Sequence, residues 1–220
     1  MRTPSPRDLA ALPYAPYLTP FEGGPLERES LYECVHFDGC SFEDSDCGNT
    51  RFTEAAFSSV TFAQGRYRRS RFGEVWFHNA RVIGADFAET SWQEGEWRDS
   101  LFAGTEIHAA DLQRTVFHHC KFDSVNFRMA KLTNVTFVDC LLRDVGFDGA
   151  TLTSVAFPGS TLDGITLDKA VLKKVDLREA SALSIASGVA ALRGTTISTH
   201  QMLDLAPELA RIAGITVKDR

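Results

Sequence analysis

From Tyr32 to Leu177 a large apolar residue returns at every fifth position, thirty times in succession without an insertion, and only Cys47 in that series is small. Phe117, Phe122, Phe127, Leu132 and Phe137 show the rule within the stretch FHHCKFDSVNFRMAKLTNVTF. Five is the period of neither a strand nor a helix. The residue two before each large one is mostly small or β-branched, as at Ala55, Val60, Gly65, Ser70, Val75 and Ala80, and again at Cys120, Val125, Ala130, Val135, Cys140, Val145 and Ala150. The other three positions of each five are mostly polar.

Two inward residues in every five require the chain to turn a corner after each pentad. The large side chain fills the centre, and the small one sits where the corner leaves little room. Four such sides close a square coil of twenty residues, and coils stack as parallel strands roughly 4.8 Å apart. No coil can bury its own apolar face, but a stack shares one core. Residues 30–180 then make a rod of about seven and a half coils, roughly 36 Å long.

The tandem pattern small-x-[Leu/Phe]-x-x, as in AKLTNVTFVDC and ATLTSVAFPGS, resembles the pentapeptide-repeat family. The resemblance covers about two-thirds of the chain. It implies an all-β fold, a right-handed quadrilateral parallel β-helix, here expected over residues 30–197.

The two ends differ from the repeat. Residues 1–29 carry six of the eight prolines and read as an extended arm, with the aromatics of YAPYLTPF folding over the first coil to shield its unpaired edge. After Leu177 the pattern loosens, and Leu192 and Ile197 return in phase, which reads as a local excursion and a closing coil. Residues 198–220 begin with a capping box, Ser198 at the N-cap and Gln201 at N3. Met202, Leu205, Leu209 and Ile212 share one helical face, Pro207 is expected to kink or divide the helix, and Gly214 suits its end. A short strand is expected at Ile215–Val217. This ending is similar to that of the Qnr and Mfp-type fluoroquinolone-resistance proteins, and the resemblance implies a homodimer through Met202, Leu205, Leu209, Ile212, Ile215 and Val217.

Net charge is −6 and the pI near 5.5, which argues against a basic surface for nucleic acid or anionic membrane. No apolar run approaches the roughly 18 residues of a membrane span, and the segment MRTPSPRDLA lacks an apolar signal region, so a cytoplasmic protein is expected. Five cysteines without CxxC spacing argue against a disulfide framework or zinc site.

Catalysis needs convergent polar groups in a cleft, and a gap-free solenoid presents convex walls. Residues twenty apart stack, so His78, Arg98 and His118 form one column and Asp99, His119 and Asp139 its neighbour. A metal site or acid–base pair could be assembled from His118, His119 and the aspartates, but solvated side chains on a flat ladder are the reading adopted. Cys120 and Cys140 read as small core fillers. No P-loop, dinucleotide, zincin or nucleophile-elbow motif occurs. No enzyme, cofactor or metal is therefore expected. Trp76 is outward by phase and is assigned to a contact patch with Val116 and Val138.

Charge is the remaining signal. Residues 30–180 hold 22 acidic and 16 basic residues, and Glu54, Glu74 and Glu94 stack in one column. Like charges in register are unfavourable. Arg51 and Arg71 offset the column, or it faces a partner; both readings stand. Arg66, Arg68, Arg69 and Arg71 form a local basic patch. Two functions follow. Resemblance to the Qnr and Mfp-type proteins implies DNA mimicry: a stiff rod binding DNA gyrase or a related topoisomerase and relieving fluoroquinolone action, with Glu54, Glu74 and Glu94 in its acidic surface. The rod is uninterrupted, like the Mfp type, and lacks the projecting loops of many Qnr proteins. The alternative is an interaction scaffold with an unrelated partner.

Overall fold

The computed structural model describes residues 4–218. Each coil has four sides. Strands such as Leu31–Glu33, Arg51–Thr53 and Arg71–Gly73 stack into a first face of eight strands, ending at Val171–Lys173. A second face runs from Val35–Asp38 to Thr136–Val138, and a third from Ser41–Glu43 to Ala182–Ser187. The fourth is narrower: single parallel bridges link Asp46, Arg66, Asp86, Glu106, Asn126 and Gly146. Between the two ends, register on the three broad faces is twenty residues, as in Phe52↔Phe72 and Trp92↔Leu112.

The corners have one chemistry. Every pentad of the solenoid places the residue two after its large one at a corner, and 24 residues other than glycine, all in this phase, have positive φ. Glycine fills other corners, including Gly39, Gly84, Gly104 and Gly149. An L-residue in this conformation costs roughly 1–2 kcal/mol. The ladder offsets that cost, because each corner amide donates to the next coil: Glu54 N to the Gly73 carbonyl at 3.0 Å, Ser59 N to His78 at 2.9 Å, Gln64 N to Ile83 at 2.9 Å.

Twenty-nine of the thirty large residues from Tyr32 to Leu177 are buried, and only Tyr32, in the first coil, is partly exposed. Aromatic rings stack along the axis. Phe37, Phe57, Phe77 and Trp97 form one column with centroid spacings of 4.6, 4.2 and 3.6 Å and nearly parallel planes. The small positions carry a second ladder. The Ser160 hydroxyl donates to the Phe137 carbonyl and accepts from the Cys140 amide, while the Cys140 thiol donates to Phe117 and Val138 and accepts from the Cys120 amide. Cys120 and Cys140 are therefore core residues with hydrogen-bonding work. Burial raises the Cys120 thiol pKa well above its ordinary value and pushes that of Cys47 up to about 12, so neither presents a thiolate near neutral pH.

The ends close the core differently from one another. Phe21 and Leu26 pack on the first coil, with the Phe21 ring 4.7 Å from that of Phe37. Thr19–Pro20 adds a short parallel strand beside Val35 and His36. At the other end the third face takes one extra residue, since Leu162 pairs with Leu183, and the twenty-residue register returns at Asp176↔Thr196. Leu192 and Ile197 pack, partly buried, on this last coil. The helix Thr199–Ile212 then covers it. The Ser198 side chain accepts from the Gln201 amide while the Gln201 side chain accepts from Ser198 N, and the Gln201 amide group donates to the Leu177 carbonyl at 2.7 Å. Pro207 lies inside this helix, which continues as one element instead of dividing there. The end is a Schellman closure: Gly214 has φ +71, Gly214 N donates to Arg211 and Ile215 N to Ala210. Ile215–Val217 is not a strand, having no neighbouring edge to pair with in a single chain.

Candidate partner-binding surface

Glu54, Glu74 and Glu94 stand at successive levels of the corner between the first and second faces, with φ of 50, 52 and 58°. Their backbones are fixed to the following coils by bonds of 3.0, 2.8 and 3.0 Å to the carbonyls of Gly73, Gln93 and Gln113. They form an edge of the rod, not the middle of a wall. The edge is bounded: Arg114 occupies the next corner and pairs with Glu94 at 2.8 Å, and the Cys34 thiol at the previous one donates to Glu54 at 3.3 Å. Arg51 and Arg71 lie on the first face and make no ion pair with these glutamates.

The arm borders this edge. Residues 4–20 run along the outside of the second face, where Leu12 and Tyr14 bury Ala56 and Trp76. The Trp76 indole donates to the Arg7 carbonyl at 3.1 Å, and Arg98 donates to that carbonyl and to Asp8 at 2.7 and 2.8 Å. Trp76 is only 3% exposed, so the expected contact patch with Val116 and Val138 does not form; Val138 is itself buried. Arg7, Pro13 and Tyr14 line a shallow cleft with Glu74 and Glu94. Burial, above all, raises the Tyr14 pKa, and Glu74, Glu96 and Glu54 add to it while Arg7 opposes. The arm is thus a strap along a wall as well as a cap. Sequence reasoning missed this role; the available signal was that Tyr14 and Trp76 are large and apolar yet outside the five-residue phase.

Along the next corner, Asp99, His119 and Asp139 form a chain of contacts with His78 of the adjoining second face, at 3.5 Å for His78–Asp99, 3.6 Å for Asp99–His119 and 3.7 Å for His119–Asp139. His118 is not a solvated member of it but is buried, and burial first, with His119 and Arg98, holds its pKa below the usual value. Among the described residues no three His, Cys, Asp or Glu side chains converge to hold a metal ion.

The C-terminal residues divide. Leu205 turns into the solenoid core beside Gln201, so it belongs to the cap and is closed to a partner. Met202, Leu209, Ile212, Ile215 and Val217 are exposed, as is Leu203. No helix among the described residues is long and apolar enough to cross a membrane.

Residues 90–167 match the family model described as a pentapeptide repeat region. No curated protein sequence matches the chain. Among solved structures, a trypsin-treated form of QnrB1, a plasmid-mediated fluoroquinolone resistance protein, is similar at 16% identity over 92% of this chain and 98% of that one, with a TM-score of 0.47. HetL, a pentapeptide repeat protein involved in heterocyst differentiation regulation in the cyanobacterium Nostoc sp. strain PCC 7120, is similar at 14% identity over 79% and 92%, with a TM-score of 0.32. A pentapeptide repeat protein of the Arabidopsis thaliana thylakoid lumen is similar at 12% identity over 58% and 75%, with a TM-score of 0.39. Residues 90–167 are thus a pentapeptide repeat region by their family match, and the same five-residue coil runs unbroken on both sides of them, from Tyr32 to Leu177.

Proposed function

We propose that the protein is a non-enzymatic, cytoplasmic DNA mimic that binds DNA gyrase or a related type II topoisomerase and modulates its response to inhibitors such as fluoroquinolones. The observation that carries this reading is the rigid acidic edge of Glu54, Glu74 and Glu94. Three carboxylates span about 10 Å there, at the roughly 4.8 Å coil spacing, with backbones locked to the next coil. B-DNA of that length carries about six phosphates, so the edge mimics one strand of the duplex in charge density, not both. A positively charged DNA saddle would attract such an edge without a pocket, and the contact would weaken with salt.

Doubling the rod supports the same reading. Met202, Leu209, Ile212, Ile215 and Val217 sit together at the C-terminal end and have no cover in a single chain. A second copy related by a two-fold axis offers the same apolar patch in return. The resulting dimer would present two acidic edges, one at each end. A supercoiling assay tests the reading: the wild-type protein at tens of micromolar should inhibit gyrase supercoiling and alter its sensitivity to a fluoroquinolone. If supercoiling is unaffected, the chain is a scaffold for another partner.

A further inference from the structure

On the fourth face of the first coils, four guanidinium groups converge around Gly48. Asp46 Oδ2 accepts from Arg28 at 3.3 Å and lies 3.8 Å from Arg66. One level on, Glu89 holds Arg68 at 2.8 Å through one oxygen and Arg69 at 2.9 Å through the other, and Asp86 lies 3.4 Å from Arg68. Arg28, Arg66, Arg68 and Arg69 line one open cleft of about 350 Å³ with Gly48, Asn49 and Asp46, the last being its one carboxylate. Gly48 is buried at the cleft floor, where a Cβ would meet the Arg68 carbonyl at 3.3 Å and stand 3.9 Å from the Arg28 guanidinium. Just past the corner, Arg51 and Arg71 are register neighbours on the first face. Six arginines therefore gather on a chain whose net charge is −6.

We propose that this cleft is a binding site for a compact polyphosphate group, either inorganic or the phosphate tail of a nucleotide. Guanidinium forks match phosphate oxygens bidentately, and several around one cleft suit a ligand with several closely spaced charges. Asp46 and Glu89 each hold two arginines, so the donors are gathered before any ligand arrives. Their exposure leaves N–H groups free to reach a ligand. The basic region is short along the rod, because Asp86 and Glu106 follow Arg66 in its own column. A polymer tracking the axis would meet those carboxylates, whereas a di- or triphosphate ends before them. No aromatic side chain lines the cleft, so it reads the phosphates and not a base. The site is independent of the topoisomerase reading and lies on a different side of the coil from the glutamate edge.

Isothermal titration of the full chain at low ionic strength tests it, with sodium tripolyphosphate, ATP, adenosine and a short DNA duplex as probes. Tripolyphosphate and ATP should each bind once per chain with affinities within about threefold of one another, and adenosine should not bind. Arg66→Gln with Arg69→Gln should weaken tripolyphosphate about tenfold or more, since charge-assisted hydrogen bonds are lost. Asp46→Asn keeps a side-chain oxygen that can accept from Arg28 but removes the negative charge that competes with the ligand, and should strengthen binding. All these side chains are at the surface, and unchanged thermal melts would confirm that both variants fold. No saturable binding of tripolyphosphate, or binding that both variants leave unaltered, overturns the proposal. So does duplex binding that tripolyphosphate cannot compete away, which would make the patch a nucleic-acid contact.

Discussion

Arg7 and Glu96, 89 residues apart in sequence, are joined twice: the Arg7 backbone amide donates to one carboxylate oxygen at 2.7 Å and its Nε to the other at 2.6 Å. Glu96 is buried and Arg7 is half exposed. The pair pins the arm to the second face beside Trp76. Arg7→Ala would leave Glu96 with only the backbone amide of residue 7, and because Arg7 is half exposed to solvent the loss is about 1–2 kcal/mol. Denaturant unfolding should show the loss, and the freed Trp76 should shift the indole emission to the red. Combining it with Glu96→Gln should recover part of the stability, because no charge is then left unpaired. An unchanged midpoint for Arg7→Ala would mean that the arm is held by Leu12 and Tyr14 alone.

The core makes two opposite predictions. Phe122 stacks on Phe102 at 4.7 Å and meets Phe117 and Phe137 edge-on. Phe122→Ala should cost about 3–5 kcal/mol. Met129, by contrast, is an exposed corner residue with φ 57°. Met129→Gly relieves the left-handed backbone at the cost of a larger unfolded-state entropy, for a net gain of about 0.5–1 kcal/mol. Urea titrations of both variants check the signs.

These contrasts also show what the sequence makes legible. The five-residue phase locates the large core residues because each coil has the same geometry and no loop shifts the register. The corner rule was equally available: Gly39, Asn49, Asn79, Gly84, Gly104 and Asn134 all lie two residues after a position of the five-residue series, and these residue types tolerate positive φ. The arm was not legible, because its contacts with Trp76 and Glu96 cross some seventy to ninety residues and obey no period. Helical spacing groups Leu205 with Met202 and Leu209, but it cannot say which part of that face the last coil covers. At Ile215–Val217 the apolar, β-branched composition suggests a strand, yet a strand needs an edge that this chain alone does not provide.

His118 makes stability depend on pH. Burial, chiefly, with His119 and Arg98, lowers its folded pKa, while Glu96 and Asp139 oppose the shift. The unfolded chain, with an ordinary imidazole near 6.5, therefore takes up the proton first as pH falls. Stability contributed by neutral, buried His118 is intact above that value and is lost as pH drops through the folded pKa. Melting temperatures measured from about pH 7.5 down to about pH 5 should fall more steeply for the wild type than for His118→Leu. Parallel curves would remove His118 from the account.

The division of the C-terminal helix separates assembly from folding. Leu209→Asp changes an exposed side chain and should give a monomer by light scattering with a wild-type melt at low protein concentration. Leu205→Ala empties a core position and should lower the melt, with a cost of about 2–5 kcal/mol. If Leu209→Asp leaves the wild-type mass unchanged, the exposed face is not the dimer contact.

The glutamate edge can be reversed without disturbing the fold, since Lys169 and Lys174 already occupy equivalent corners with φ 59 and 53°. The most direct test is displacement of a fluorescent DNA duplex from gyrase, comparing the wild type with the variant carrying Glu54→Lys, Glu74→Lys and Glu94→Lys. Wild-type protein should displace the duplex in a salt-sensitive manner, and the variant should fold identically yet lose at least tenfold in potency. Equal displacement by both proteins, or none by the wild type, would contradict the account.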